Sequence, residues 1–127
     1  MRYLLDTCAI IWYFDEEETK LPSDIRSMVN SPESEIFVSI VSIWEIVIKI
    51  GKGRLDVNFD ILFSKLFRAQ FEILPIGIAS LQVLRKLNLE IHKDPFDRMI
   101  IATAMAKDLT IVTSDKDIQK YNIQTIW

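Results

Sequence analysis

Four acidic side chains lie at predicted strand ends and helix starts, where the ligands of α/β proteins bind. Two follow short apolar runs that predict strands, and two lie in the first turns of predicted helices; they are Asp6, Asp115, Glu45 and Asp97. In an open α/β sheet, ligands bind beyond the carboxyl ends of the strands, so all four can converge if the helices start along the same edge. Clustered carboxylates repel one another unless a cation neutralises them. The spacing therefore predicts a cation site formed by these acids.

The residue types limit which cation this is. Ligation by carboxylates suits the hard ions Mg²⁺ and Mn²⁺, which assist phosphoryl chemistry by activating water and stabilising the leaving oxygen. The chain has one histidine, His92, and one cysteine, Cys8, which excludes a multi-histidine centre, an all-cysteine zinc site and a disulfide framework. No glycine-rich phosphate loop is present, which argues against a nucleoside triphosphate. The sequence thus favours metal-assisted hydrolysis of a phosphate ester.

A purely structural role is the alternative for each acid. Glu45 could bond back to the amide of Ser42 in a capping box, and Asp97 could complement the dipole of its helix. The other two could cap the helices that follow them. Glu45, however, lies in a segment that is apolar nearly all round, and a buried carboxylate needs a cation or several donors. Taken together, the four acids favour the cation site.

Short apolar runs alternate with helix signals, which predicts one α/β domain over residues 1–127 with a parallel sheet. The predicted strands are 3–5, 36–40, 73–76, 109–113 and 123–126. Predicted helices begin after Asp6, at Ser23, at the N-caps Ser42 and Asp60, near Ser80, and at Asp94–Pro95. The helix near Ser80 is expected to run to Leu87. In this arrangement, the strand ends and helix starts carry the four acids.

Length and composition support one globular domain. Of 127 residues, 50% are apolar and 26% are charged, which excludes a disordered or repeat-built chain. The net charge of −3 argues against nucleic acid as a partner, but residues 49–93 carry eight basic and four acidic side chains. No targeting segment is visible, nor an apolar stretch of the ~20 residues that a membrane span requires. A soluble, cytoplasmic protein without a membrane partner is expected.

Four segments together resemble the PIN-domain family, and most closely the VapC-type toxins of prokaryotic toxin–antitoxin pairs. They are LLDT at 4–7, VSIWEI at 41–46, DPFDRMIIA at 94–102 and VTSD at 112–115. The resemblance extends over essentially the whole chain. It implies a three-layer α/β/α fold around a mostly parallel sheet of about five short strands. It also implies an endoribonuclease that depends on Mg²⁺ or Mn²⁺, a cognate antitoxin that occludes the site, and usually a homodimer.

The resemblance also assigns roles to particular residues. The catalytic and metal-binding acids would be Asp6, Glu45, Asp97 and Asp115. The supporting residues would be Thr7, Asp94, Arg98 and Thr113, with Asp117 as a further acid that could act through water. The basic side chains that would guide an RNA backbone are Lys49, Lys52, Arg54 and Lys93.

Other residues have two interpretations. Cys8 stands where relatives often carry histidine, and we expect it to be a packing residue. His92 could touch a phosphate, although a surface loop position is favoured. Arg98 could orient a carboxylate or meet RNA, or it could lie on the helix surface. Trp44 and the aromatic cluster 12–14 are expected in the core or an interface rather than as base-stacking platforms.

Two other functions stay open. The same fold could serve as a PIN nuclease of RNA processing, or one directed at DNA, that has no antitoxin. An adjacent gene for a small DNA-binding protein would favour the toxin instead. The chain could also be a noncatalytic interaction domain that retains the acids for structure, which an absence of metal binding would favour.

Overall fold

The computed structural model describes residues 1–15 and 19–127, and it is organised around a five-stranded parallel sheet. The strands are β1 (Arg2–Leu5), β2 (Glu35–Ser39), β3 (Glu72–Leu74), β4 (Thr110–Val112) and β5 (Thr125–Ile126). Their order across the sheet is β3-β2-β1-β4-β5, and each neighbouring pair is parallel. The predicted α/β class and parallel sheet are confirmed. The central strand β1 is apolar because both of its faces are covered.

Six α-helices connect and cover the strands in the described part of the chain. They are α1 (Thr7–Phe14), α2 (Ser23–Asn30), α3 (Ile40–Gly51), α4 (Phe59–Arg68), α5 (Ile78–Leu84) and α6 (Pro95–Lys107), followed by a 3₁₀ turn (Ile118–Lys120). The predicted helix 80–87 therefore lies at α5, which begins at Ile78 and ends at Leu84. No described helix is long and apolar enough to cross a membrane.

Alternate residues of the strands enter two separate cores. Leu5, Val38 and Val112 pack with side chains of α1 to α4 on one face of the sheet. On the other face, Leu4 and Ile111 pack against α6 and the 3₁₀ turn. This alternation follows from the two-residue period of a strand. It produces the three-layer arrangement that the sequence predicted.

Two predicted helix caps are wrong. The side chain of Ser39, not Ser42, caps α3 by accepting a hydrogen bond from the amide of Val41 at 3.1 Å. Asn58, not Asp60, caps α4 and accepts from the amide of Ile61 at 3.1 Å. In both cases another residue that favours the N-cap position stands farther upstream and caps the helix. The alternative in which Glu45 completes a capping box with Ser42 is therefore wrong.

The cap of α6 is confirmed. Asp94 has an extended backbone, and its carboxylate accepts hydrogen bonds from the amides of Phe96 and Asp97 at 2.9 and 3.2 Å. Pro95 occupies the first helical position, where its missing N–H costs nothing. This start places Asp97 in the first turn of α6, facing the end of the sheet.

The predicted aromatic positions are partly confirmed. The cluster 12–14 is half-buried and packs against the core beside α1 to α4, and Trp12 contacts Trp127 edge-on with ring centroids 5.6 Å apart. Trp44 is not in the core, because it is 56% exposed and contacts only the edge of the Phe96 ring among the described aromatic rings, at 5.0 Å. Its interface role stays a prediction.

Candidate active site

A cavity of about 290 Å³ opens at the carboxyl edge of the sheet, where β1 and β4 end, α1 and α6 begin and the second and third turns of α3 lie. The prediction that Glu45 lies in the first turn of its helix is wrong, because α3 begins at Ile40. The residues that line the cavity are Asp6, Thr7, Cys8, Glu45, Lys49, Asp94, Asp97, Ser114 and Asp115. The structure thus brings all four predicted acids to one cavity. It does so because parallel strands end at the same edge, as the strand-end argument requires.

Asp6 is the most deeply buried of these acids, at 5% exposure. Its Oδ1 accepts a hydrogen bond from the amide of Ala9 at 2.8 Å, so it also caps α1, and its Oδ2 accepts from the hydroxyl of Thr113. Burial raises the pKa of Asp6 to about 6 although these two hydrogen bonds lower it, and the charges of Asp97 and Asp115 add to the rise. A bound cation would favour the charged form of this carboxylate.

Thr113 connects two of the acids. Its fully buried hydroxyl donates to Asp6 and accepts from the amide of Asp115 at 3.0 Å. Asp115 in turn accepts from the amide of Asp117 at 2.7 Å through Oδ1. Asp6 therefore both caps α1 and lines the cavity, whereas Asp115 lines the cavity and Asp117 occupies the N-cap position of the 3₁₀ turn. The predicted supporting position of Thr113 matches these contacts.

Glu45 brings an incompletely satisfied carboxylate to the cavity. Its side chain is 13% exposed, and Oε2 lies 3.6 Å from the Nζ of Lys49, one helical turn further along α3. Oε1 is buried and has no hydrogen-bond partner among the described residues, and the same is true of the hydroxyl oxygens of Thr7 and Ser42. Buried polar atoms are nearly always hydrogen-bonded. The unpartnered oxygens of Glu45 and Thr7 in one cavity therefore fit a site that binds a cation.

Asp97 is paired with the single histidine. The Nε2 of His92 lies 2.7 Å from Oδ2 of Asp97, and the two side chains are 17% and 18% exposed. Burial raises the pKa of Asp97, the charges of Asp94, Asp115 and Glu45 add to it, and the hydrogen bond from His92 opposes it. Burial lowers the pKa of His92, but the hydrogen bond and charge of Asp97 outweigh it, so the net shift is upward.

The position of His92 corrects the sequence interpretation. The sequence favours a surface loop position for His92, but its ring is half-buried beside the acids. Ligand atoms of His92, Asp97 and Asp115 all lie within 4.8 Å of one another. The available signal was its position, two residues before the cap Asp94 and five before Asp97. The loop before α6 brings His92 back against Asp97 in the first turn of that helix.

Arg98 has neither of its predicted site roles, nor does it lie on the helix surface. It is 7% exposed, and its guanidinium donates to the backbone carbonyls of Asn88 at 3.2 Å and His92 at 3.4 Å. It also donates to the carbonyls of Leu84 and Leu87, both at 3.5 Å. A guanidinium with five donors suits such a cluster of carbonyls. Arg98 therefore holds the loop that carries His92, and it supports the site only through that loop.

One further prediction needs correction. Cys8 does not pack in the core: it is exposed and lines the cavity, and desolvation with the nearby Asp6 carboxylate raises the pKa of its thiol. Lys49, a predicted RNA-contact residue, lines the cavity and pairs with Glu45. The other predicted RNA-contact residues, Lys52, Arg54 and Lys93, are exposed and do not line the cavity.

The donor set fits a divalent cation. The carboxylates of four acids converge on the cavity, and the pKa values of two of them, Asp6 and Asp97, are raised. Buried oxygens there lack hydrogen-bond partners among the described residues. Like charges held this close favour either protonation or a bound cation. Oxygen ligands of this type suit Mg²⁺ or Mn²⁺. The site thus has the composition of a metal-assisted hydrolase centre.

Comparison with known proteins identifies the class to which this fold and site belong. A PIN domain family model matches residues 3–124, so the chain belongs to the PIN domain family. PIN domains are nucleases, which agrees with an acidic cavity suited to metal-assisted hydrolysis. No curated protein matches the sequence.

Solved structures share this fold over almost the full length. VapBC2 from Rickettsia felis, bound to a DNA fragment from its promoter, is similar with a TM-score of 0.76 and 18% identity, covering 100% of this chain and 99% of that chain. DNA-bound VapBC from Salmonella typhimurium has a TM-score of 0.75 and 18% identity, covering 99% of this chain and 97% of that chain. VapBC-1 from nontypeable Haemophilus influenzae has a TM-score of 0.72 and 21% identity, covering 99% of this chain and 97% of that chain. These similarities show a common fold.

Proposed function

We propose that this protein is a metal-dependent endoribonuclease and the toxin of a type II toxin–antitoxin pair. The observation that carries the nuclease is the cavity in which Asp6, Glu45, Asp97 and Asp115 meet with unpartnered buried oxygens. Membership of the PIN domain family supports hydrolysis of a phosphodiester. The similar structures are toxin–antitoxin complexes, which supports the toxin assignment.

The four acids would hold Mg²⁺ or Mn²⁺. When bound, such an ion lowers the pKa of water and stabilises the charge that develops on the phosphate. The protein's own part is to hold the carboxylates in place: Thr113 orients Asp6, the backbone after Asp115 fixes its Oδ1, and Asp94 fixes the first turn of α6. Lys49 also lines the cavity, where its ammonium can attract a phosphate once Glu45 binds the ion.

The RNA would cross the sheet edge beside the cavity. Lys52 and Arg54 are exposed just beyond the end of α3, and Lys93 is exposed before the start of α6. Exposed cations can hold the phosphates of an RNA backbone, and they offset the net negative charge of the chain. We expect their loss to weaken RNA binding and to reduce its salt dependence, while leaving the metal site intact.

The partners in this proposal are a cognate antitoxin and a second copy of the chain. A cavity of about 330 Å³ between α1 and α4 is lined by apolar side chains such as Ile11, Phe14 and Ile61, and would take an apolar segment of the antitoxin. The exposed stripe Ile40, Trp44 and Val47 on α3 would pair with a second protomer. Exposed apolar surfaces of this kind mark interaction sites. A toxin that cleaves RNA would act in the cytoplasm.

The test is cleavage of defined tRNA and rRNA fragments, with Mg²⁺ and with chelator, by the wild type and by Asp97→Asn. We expect metal-dependent cleavage by the wild type alone, and growth arrest when the wild type is expressed without an antitoxin. Cleavage without growth arrest would instead assign the chain to RNA processing. A wild type that binds no divalent metal and cleaves no RNA would leave it as an interaction domain.

A further inference from the structure

The histidine beside the acidic cavity has the geometry of a metal ligand. Among the described residues, His92, Asp97 and Asp115 form the group whose nitrogen and oxygen ligand atoms all lie within 4.8 Å of one another. The Nε2 of His92 is 2.7 Å from Oδ2 of Asp97. Two ligands on one ion with bonds of about 2.1 Å lie about 3.4 Å apart in tetrahedral geometry and about 3 Å apart at adjacent octahedral positions. A small increase in the distance between these two atoms would therefore make room for an ion.

The second ring nitrogen of His92 also faces a suitable partner. Its Nδ1 lies 3.9 Å from Oδ2 of Asp117, and Asp117 is held by Lys120 at 2.9 Å. Histidines that bind a metal through one nitrogen commonly direct the other N–H to a carboxylate or carbonyl, which orients the ring. Arg98 additionally binds the backbone carbonyl of His92 at 3.4 Å. At 3.9 Å the contact with Asp117 is an ion pair rather than a hydrogen bond, and Arg98 holds the backbone from which the ring extends.

A separate observation points to a ligand in the adjoining space. Thr7 is 3% exposed and lines the acidic cavity, and its hydroxyl oxygen has no hydrogen-bond partner in the described part of the chain. Oε1 of Glu45 is in the same condition. A buried hydroxyl without a partner is costly unless an ion or a water attached to it supplies the contact.

We propose that His92 is a nitrogen ligand of the divalent ion held by Asp97 and Asp115, so that the site binds Zn²⁺ and Mn²⁺ in preference to Mg²⁺. This inference rests on the proposed function, because it concerns the metal of the same site. An imidazole suits first-row transition ions, whereas Mg²⁺ takes oxygen ligands and gives up its water reluctantly. Among transition ions, sites with nitrogen and oxygen ligands bind Zn²⁺ more tightly than Mn²⁺. The expected order of affinity is Zn²⁺, Mn²⁺, Mg²⁺.

The single histidine makes a direct test possible. In ¹⁵N-labelled protein, every imidazole nitrogen signal belongs to His92. We expect stoichiometric Zn²⁺ to shift the Nε2 resonance, Mn²⁺ to broaden it, and Mg²⁺ to leave it nearly unchanged. An Nε2 signal that Zn²⁺ does not move would overturn the inference, and this measurement needs neither a variant nor activity.

Calorimetric titration with each ion supplies the second readout. His92→Gln should lose about tenfold or more in Zn²⁺ affinity, as losses at metal-site residues do, and little in Mg²⁺ affinity. Glu90→Gln is the matched control, since it removes an exposed charge from the same loop and should bind all three ions like the wild type. Equal losses for Zn²⁺ and Mg²⁺ in a folded His92→Gln would contradict the proposal.

RNA cleavage separates this inference from the function on which it rests. If the wild type cleaves RNA with Mg²⁺ and Asp97→Asn does not, but Zn²⁺ leaves the His92 signal unmoved, the nuclease stands and the histidine ligand is rejected. If Zn²⁺ moves the signal and no ion supports cleavage, the metal site stands and the nuclease is rejected.

Discussion

Helix α6 contains two regions of opposite character, one turn apart. Its first turn places Asp97 among the charges of Asp94, Asp115 and Glu45, where burial and repulsion raise its pKa. Its body places Ile100, Ile101 and Ala104 at 0% exposure in the core on the other face of the sheet. The body stabilises the fold by burying apolar surface, whereas the negative charge of Asp97 in the first turn is disfavoured by burial and by the neighbouring acids. The comparison shows that stability and chemistry are carried by adjacent but separate residues.

The largest effect should come from neutralising an acid of the cavity. Asp97→Asn keeps the volume of the side chain but removes a negative ligand, so RNA cleavage should fall by about 1,000-fold, the several kcal/mol that a catalytic metal supplies. Initial cleavage rates at saturating Mg²⁺ measure this. Asp108→Asn, an exposed acid at the far end of α6, is the control and should cleave like the wild type. Equal rates for the two variants would reject the site.

Truncating the body of the helix should have the converse effect. Ile100→Ala removes a fully buried side chain and should lower the free energy of unfolding by ~3 kcal/mol. Urea denaturation measures this loss. Below the denaturation transition, the folded variant should retain metal affinity, because no ligand has changed. A loss of metal affinity without a loss of stability would contradict the separation of the two regions.

Metal should reverse the order of stability of Asp97→Asn and the wild type. Without metal, Asp97→Asn should melt at the same temperature as the wild type or higher, since it relieves repulsion. At a concentration 100-fold above the dissociation constant, Mg²⁺ or Mn²⁺ should stabilise the wild type by about 2.7 kcal/mol. The variant should lose most of that gain. Thermal melts with chelator and with metal test both statements, and a metal-insensitive wild type with a destabilised variant would indicate helix caps instead of a site.

The pH dependence of stability should identify Asp6. Its pKa is about 6 in the folded protein against 3.8 as the reference value, so the folded state binds this proton more tightly. The contribution of Asp6 to stability is therefore greatest below pH 3.8 and is lost as pH rises to about 6. With chelator, Asp6→Asn should gain stability relative to the wild type across this range and stay level above it. Chemical denaturation over this pH series measures the difference, and a constant difference would contradict the raised pKa.

The smallest effect concerns two serines near the start of α3. Ser39→Ala should destabilise the protein by ~1 kcal/mol, because Ser39 caps the helix. Ser42→Ala should change stability by less than ~0.5 kcal/mol or increase it, since the buried hydroxyl of Ser42 has no partner among the described residues. Denaturation curves of the two variants compare them directly. The opposite ranking would restore the capping box.

Local signals were sufficient for most of the fold. Short β-branched runs predict strands because such side chains pack well in a doubly covered sheet, and Asp94 followed by Pro95 predicts a helix start because both residues favour that backbone. The same reasoning failed at Ser42 and Asp60. Each stands within a few residues of an equally good cap, and the length of the preceding strand or loop decides between them.

The sequence by itself determined the alternating strands and helices, from which a parallel sheet follows, and the acids next to strand ends and to the start of α6, because these are signals carried by residues near in the chain. Only the tertiary structure decided where His92, Arg98 and Cys8 lie. His92 meets Asp97 across the start of α6, and Arg98 binds carbonyls up to fourteen residues away. A polar side chain takes whichever partner the packed chain brings within about 3 Å, and that partner is fixed by the packing of elements rather than by the residue's own neighbours.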